Sequence, residues 1–325
     1  MRSVWHRWLW LLPWLVAEAL AGEAPAAEGA EPVAEPPLPQ QGEVPNWIDN
    51  SQGFVANASD ELADWIDSFF GQPRTDLESA DTILRLYLDS DWEQRSGHGE
   101  KVQLRGKIEL PRLGERLSLM FSDEDDEEQE LRQILPSPEH EQNSRLSLVY
   151  QAKQKQRFRL DYRLGLTSDI KLKANARYRY ELPWREQLVS RLTETLYFVD
   201  ASGFGLKSEL QHDWLLNDNK LLRLSSKVDY AERFEGVHWN SNFGLHRRIG
   251  NRRALSYFVW ASGETRPDYL TTAYGIGSRY RRNFHRRWMF YDIEPAYGWL
   301  RREEVDERRG TWLLTLRLEI VFQRD

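Results

Sequence analysis

Residues 157–181 read RFRLDYRLGLTSDIKLKANARYRYE, and their order decides the fold. Phe158, Leu160, Tyr162, Leu164 and Leu166 fill the even positions, with Arg157, Arg159, Asp161 and Arg163 between them. Ile170, Leu172, Ala174, Ala176, Tyr178 and Tyr180 then alternate with Lys171, Lys173, Asn175, Arg177 and Arg179. A side-chain period of two is a strand with one apolar and one polar face. The same alternation recurs from residue 82 to the end, as in Leu222/Leu224/Val228/Tyr230 and Leu314/Leu316/Leu318/Ile320/Phe322. It predicts about fourteen strands, with twelve or sixteen also open: near 82–92, 100–111, 114–122, 144–153, 156–167, 169–181, 188–199, 203–215, 219–232, 235–247, 252–264, 268–282, 286–299 and 309–323.

Most of these reach the roughly 9–11 residues that a tilted strand needs to cross hydrocarbon, against about 5–6 in soluble sheets. Long amphipathic strands joined by hairpins make an all-β chain: one transmembrane antiparallel up-and-down barrel, apolar outside and polar inside. Every second connection is short, as at 112–114, 153–155, 216–220, 249–251 and 283–285, while 123–143 and 301–309 are the longest on the other side. Trp184, Trp214, Phe284 and Trp288 fall by the short turns, and Trp92, Phe234, Trp260, Tyr269 and Trp299 by the opposite rim. Two places fit badly. Glu194 shares the lipid-facing parity of Leu192 and Leu196, which suggests a bulge or a register error, and residues 252–264 are apolar on both faces.

Composition agrees once the alternation is seen. The 325 residues carry 44 basic and 51 acidic side chains, 14 Trp and no Cys. A mean hydropathy of −0.68 argues against helical spans. The aromatics exclude disorder for most of the chain. The lack of Cys removes disulfide scaffolds, thiolate metal sites and thiol catalysis.

Residues 1–21 carry Arg2, His6 and Arg7, the apolar run Trp8–Val16, and Ala19-Leu20-Ala21. This is the pattern of a secretory signal peptide cleaved near Ala21. Residues 22–45, rich in Pro, Ala and Glu, make a periplasmic tether. Within 46–80, Leu62, Trp65, Ile66, Phe69 and Phe70 recur at helical spacing, with Asp60, Glu61, Asp64 and Asp67 on the other face. That helix is expected to pack on protein or to plug the barrel, residues 81–325. Acidic residues on its polar face disfavour anionic lipid.

The last strand alternates and finishes on Leu316, Leu318, Ile320 and Phe322, followed by Gln323-Arg324-Asp325. It resembles the terminal strand of Gram-negative outer-membrane barrels, over residues 82–322 and at the level of class. The resemblance implies residence in the bacterial outer membrane, contact with its lipid and lipopolysaccharide, and insertion by the barrel assembly machinery. It implies no activity.

With odd positions assigned inward, the lumen gains a basic wall of Arg105, Lys107, Arg157, Arg159, Arg163, Lys171, Lys173, Arg177 and Arg179, extended by Lys101, Arg116, Arg145 and Lys153. Only Glu109, Asp161 and Glu181 oppose it there, while Glu209, Asp213, Asp229, Asp292, Glu294 and Glu319 face inward elsewhere. Such walls favour anions in a pore, unless the cations pair with lumen carboxylates or a plug. Asp123, Glu124, Asp125, Asp126, Glu127, Glu128 and Glu130 form an acidic loop. It is read as a solvated outer loop, as a divalent-cation site beside lipopolysaccharide phosphates, or as a segment folded onto the basic wall.

One stretch bears on hydrolysis. His238-Trp239-Asn240-Ser241-Asn242 faintly resembles the His-x-Ser-Asn pattern of outer-membrane phospholipases and lipid A deacylases. Three residues separate His238 from Ser241, so their side chains point to opposite faces. Nucleophile-elbow, zinc-protease and phosphate-loop motifs are absent, and no metal or cofactor is expected. Nucleic-acid binding has no signature. The sequence therefore points to a passive channel for small anionic solutes. The alternatives are a non-conducting envelope protein that presents 46–80 to a periplasmic partner and, further off, a lipid-modifying enzyme.

Overall fold

The computed structural model describes residues 62–70, 82–110, 116–122, 145–155, 157–166, 171–185, 187–200, 203–232, 236–266, 269–286, 288–302 and 305–323. The signal segment, the tether, Phe234 and the acidic run 123–130 lie outside the described residues.

A helix, α1 (62–69), precedes fourteen strands. The first seven are β1 (Ile83–Glu93), β2 (Gly97–Glu109), β3 (Leu117–Ser122), β4 (Arg145–Lys155), β5 (Phe158–Leu166), β6 (Leu172–Arg185) and β7 (Leu188–Val199). Then come β8 (Gly203–Asn217), β9 (Lys220–Ala231), β10 (Val237–Arg248), β11 (Arg253–Glu264), β12 (Leu270–Asn283), β13 (Met289–Arg302) and β14 (Val305–Gln323). Each pairs antiparallel with its sequence neighbours, and β1 closes on β14 from Ile83↔Gln323 to Glu93↔Leu313. The result is a closed antiparallel transmembrane barrel without an exposed edge.

Alternation does what the sequence requires. Leu164, Leu196, Phe204, Leu210, Ile276, Leu316 and Phe322 are exposed on the outer wall, while Arg85, Arg191, Asp213, Arg281 and Glu319 are buried inside it. Trp184, Trp214 and Trp288 project near the short turns, and Trp92, Tyr269 and Trp299 near the other rim. Register shifts occur at Gln151/Lys153, Pro183/Arg185, Leu215/Asn217, Ser262/Gly263 and Leu300/Arg302. They fall towards strand ends, and Pro183, which has no N–H to give a ladder, sits at one of them.

The structure corrects several expectations. Glu194 causes no bulge: it pairs in regular register with Tyr178 and Ser208 and stays on the outer wall. The connection expected over 301–309 is instead a hairpin, because β13 runs to Arg302 and β14 begins at Val305. The loop asymmetry therefore rests mainly on 123–144. Trp260 is no rim aromatic; it points into the lumen and is only 3% exposed. That also resolves the two-faced stretch 252–264: Ala254, Phe258 and Trp260 face an interior that has apolar clusters of its own.

Candidate functional site

The short-turn mouth of the barrel holds α1. Leu62, Ala63, Ile66, Phe69 and Phe70 form one buried cluster with Leu215, Leu221 and Ala254, and Trp65 and Phe290 pack against it. Those barrel residues belong to β8, β9, β11 and β13 and occupy positions next to the short turns, on the parity that elsewhere carries charge. The seat is an apolar arc of the wall at one end of a polar lumen. Burying side chains of this size is worth roughly 1.5–3 kcal/mol each. The helix end closes by Phe70 N–H donating to the Ile66 carbonyl at 2.8 Å. Aromatic contacts fix the orientation: Trp65 stacks on Phe69 at 4.6 Å, and Phe69 meets Phe290 edge-on at 5.5 Å. The guanidinium groups of Arg248 and Arg279 lie over Trp65 and Phe70 at 5.4 Å.

Asp67 departs from its sequence assignment to a solvated helix face. It is fully buried and accepts a hydrogen bond from Arg223. Arg223 also donates from Nε to Asp213 at 2.7 Å, and Asp213 accepts from Arg191 at 2.6 Å. Arg191 reaches Glu181 at 2.9 Å. One chain of ion pairs thus runs from the helix through β9 and β8 to β7 and β6. A charge removed from water in this way is tolerated because each partner is hydrogen-bonded. Across the lumen, Glu319 accepts from both Arg85 and Arg281, and Arg281 also donates to Asp292 at 2.6 Å. Arg317 clamps Asp89 with two bonds of 2.5 and 2.9 Å, and Arg279 lies 3.2 Å from Glu294.

The basic wall divides. On β2, β5 and β6, Lys101, Arg105, Lys107, Arg159, Arg163, Lys173, Arg177 and Arg179 share the inward parity with the carboxylates Glu109, Asp161 and Glu181. Arg159 holds Asp161 at 2.8 Å, and Lys107 lies 3.6 Å from Glu109. Lys171 sits just before β6. Arg157 is an exposed turn residue between β4 and β5 rather than part of the wall. Lys153 is turned outward by the Gln151/Lys153 bulge, which pairs it with Leu160, and its ammonium lies 5.4 Å from the Phe158 ring. Arg116 is exposed at the start of β3, and Arg145 begins β4.

Further along the lumen, Phe258 and Trp260 lie against a backbone stripped of side chains. A Cβ on Gly275 would stand 2.4 Å from the Trp260 ring, and one on Gly277 2.6 Å from Phe258. Ala296, Leu313 and Leu300 complete this cluster.

The pair His238 and Ser241 is not brought together. His238 faces inward, 3.9 Å from Glu264, whereas Ser241 faces outward and bonds Ser226 at 3.0 Å. Two Ser–His contacts join neighbouring strands among the described residues: Ser190 Oγ and His212 Nδ1 at 2.7 Å on the outer wall, and Ser256 Oγ and His246 Nδ1 at 2.8 Å inside the lumen. The Trp184 indole donates to the Ser190 hydroxyl at 2.7 Å. That indole can only donate, so the Ser190 oxygen accepts there, and the His212 tautomer sets the direction of the Ser190–His212 bond. Among the described residues no carboxylate bonds His212, and no group of three His, Asp or Glu side chains is placed to hold a metal ion.

No family model matches the sequence, and no curated protein matches it either. Among solved structures, the NanC porin is similar over 72% of this chain and 98% of its own, at 9% identity and a TM-score of 0.38. Outer-membrane expressed OmpT of Vibrio cholerae covers 74% of this chain and 97% of its own, at 7% identity and 0.45. A bacterial polysaccharide outer membrane secretin covers 75% and 99%, at 12% identity and 0.45. The likeness extends to barrel architecture alone.

Proposed function

We propose that this chain is an outer-membrane channel for small anionic solutes, closed at its short-turn mouth by α1. The carrying observation is the inward sector of β2, β5 and β6, where eight cations face three carboxylates. A lumen lined this way lowers the barrier for anions and raises it for cations. Export through residues 1–21, insertion by the assembly machinery and contact with lipopolysaccharide belong to the same reading. The short-turn mouth then faces the periplasm. No catalytic role is assigned.

A second reading is favoured by α1 itself. Its apolar face is buried in the barrel and Asp67 is tied to Arg223, which suits a barrel that conducts only when 46–80 is drawn away by a periplasmic partner, or that never conducts. Planar bilayers separate these outcomes. The channel reading expects low conductance from the full chain, steady conductance after deletion of 46–80, and a reversal potential of anionic sign in a salt gradient. A deletion variant without conductance refutes it in favour of the anchoring reading. Replacing the acidic run 123–130 with Ser tests the remaining proposal for that loop: higher conductance supports a loop folded onto the basic wall, and unchanged conductance a solvated one.

A further inference from the structure

The outer wall is not uniform. Outward positions on β1, β2, β5, β6, β13 and β14 are mostly apolar, and the polar Ser90, His98 and Glu100 lie together on β1–β2 towards the long-loop rim. On β7 to β10 the same parity carries Glu194, Ser208, Ser226 and Ser241, with the Ser190–His212 pair nearer the short turns. Glu194 lies midway along β7, six residues from Leu188 and five from Val199. An ionisable group facing hydrocarbon at that depth is costly and needs a partner.

Among the described residues its own chain supplies only part of one. The Ser208 hydroxyl donates to Glu194 at 2.6 Å, occupying one of about four lone-pair positions on the carboxylate. Ser226 and Ser241 bond each other at 3.0 Å. Two hydroxyls sharing one hydrogen bond leave one O–H hydrogen undirected. Ser208 faces Val228 and Leu210 faces Ser226, so the two pairs are diagonal neighbours on one surface. The patch has surplus acceptors at its β7–β8 end and a surplus donor at its β9–β10 end. Lipid chains satisfy neither.

We propose that this surface is a homodimer interface whose occupant is a second copy of the chain. A two-fold arrangement presents the same patch with its strand order reversed, so each Glu194 meets the Ser226–Ser241 hydroxyls of the other copy. Surplus acceptor and surplus donor then cancel twice, as a self-complementary interface requires. Three Ser side chains among Leu206, Leu210, Val228 and Phe243 also let the two walls approach closely, as small residues do between membrane helices.

The absence of Cys makes the test clean. Leu210→Cys places a reporter inside the patch without touching its hydrogen bonds, and Leu316→Cys places one on β14, away from β7–β10. Each full-length protein is treated with a bismaleimide in outer-membrane vesicles, after a heat-modifiable gel shift confirms that the barrel is folded. The proposal expects a species of twice the chain mass from Leu210→Cys at ten or more times the yield from Leu316→Cys. Adding Glu194→Leu to Leu210→Cys should lower that yield at least tenfold. Equal yields from both reporters, an adduct with a protein of different mass, monomer alone, or a yield indifferent to Glu194→Leu would each overturn it.

Discussion

Truncating Phe69 to Ala tests whether α1 is what closes the barrel. The Phe69 ring is nearly buried and touches Trp65, Phe70 and Phe290, with Arg281 above it at 5.8 Å. Phe→Ala at a packed site costs about 3–5 kcal/mol, the lost transfer energy plus the cavity left behind. All of that cost falls on the docked state if the undocked helix exposes the ring. Each 1.4 kcal/mol is about tenfold in an equilibrium constant, so the ratio of docked to undocked helix should drop by roughly two to three and a half orders of magnitude. In planar bilayers, the variant should show openings far more often than the parent, with the unit conductance of the 46–80 deletion. A Phe69→Ala protein that opens no more often than the parent, while the deletion conducts freely, refutes the seat assigned to Phe69. Parent and deletion of equal conductance refute the plug altogether.

Other consequences follow from the lumen. Glu319→Ala leaves Arg85 and Arg281 without a shared carboxylate, although Arg281 keeps Asp292; the barrel should lose about 3–5 kcal/mol, read as a lower urea midpoint of the gel shift. Gly275→Val would drive a side chain into the Trp260 ring and the Tyr297 carbonyl, costing about 1–3 kcal/mol of overpacking, and a smaller indole partner in Trp260→Leu should recover part of it. Asp67→Asn and Arg223→Gln, measured alone and together on open probability, should show coupling above roughly 0.5 kcal/mol, because the side chains share a hydrogen bond. Arg163, Lys173 and Arg177 replaced by Ser should move the reversal potential towards zero, read in the same planar bilayers under a salt gradient.

Strand parity was legible because most lipid-facing side chains are apolar for the same reason, contact with hydrocarbon, and the strand positions match closely. The seat of α1 was harder. Leu215, Leu221, Ala254 and Phe290 lie on four strands, and only the closed topology shows them as one arc. Their signal was present, as apolar residues on the charged parity at the same end of several strands. Lys153 was misplaced because a bulge flips parity without leaving a mark in the residue order. Trp260 was misplaced because both parities of β11 are apolar, so hydrophobicity alone does not choose a face. Asp67 looked solvated because its partner, Arg223, is 156 residues away. Glu194 was an anomaly in the sequence and remains one in the structure, now with a hydrogen bond attached.

The covalent link between α1 and β1 changes what plug strength means. Twelve residues separate Phe70 from Ile83, a reach of at most roughly 45 Å, and both the seat and the start of β1 are at the same mouth. A helix on so short a leash stays at an effective concentration near the millimolar range after it lets go. A seat with only millimolar affinity for a free peptide would therefore still be occupied about half the time. Closure is independent of how much protein the membrane contains, and rebinding needs no threading through the wall. Any factor that holds the barrel open must capture the released segment more tightly than that local concentration returns it.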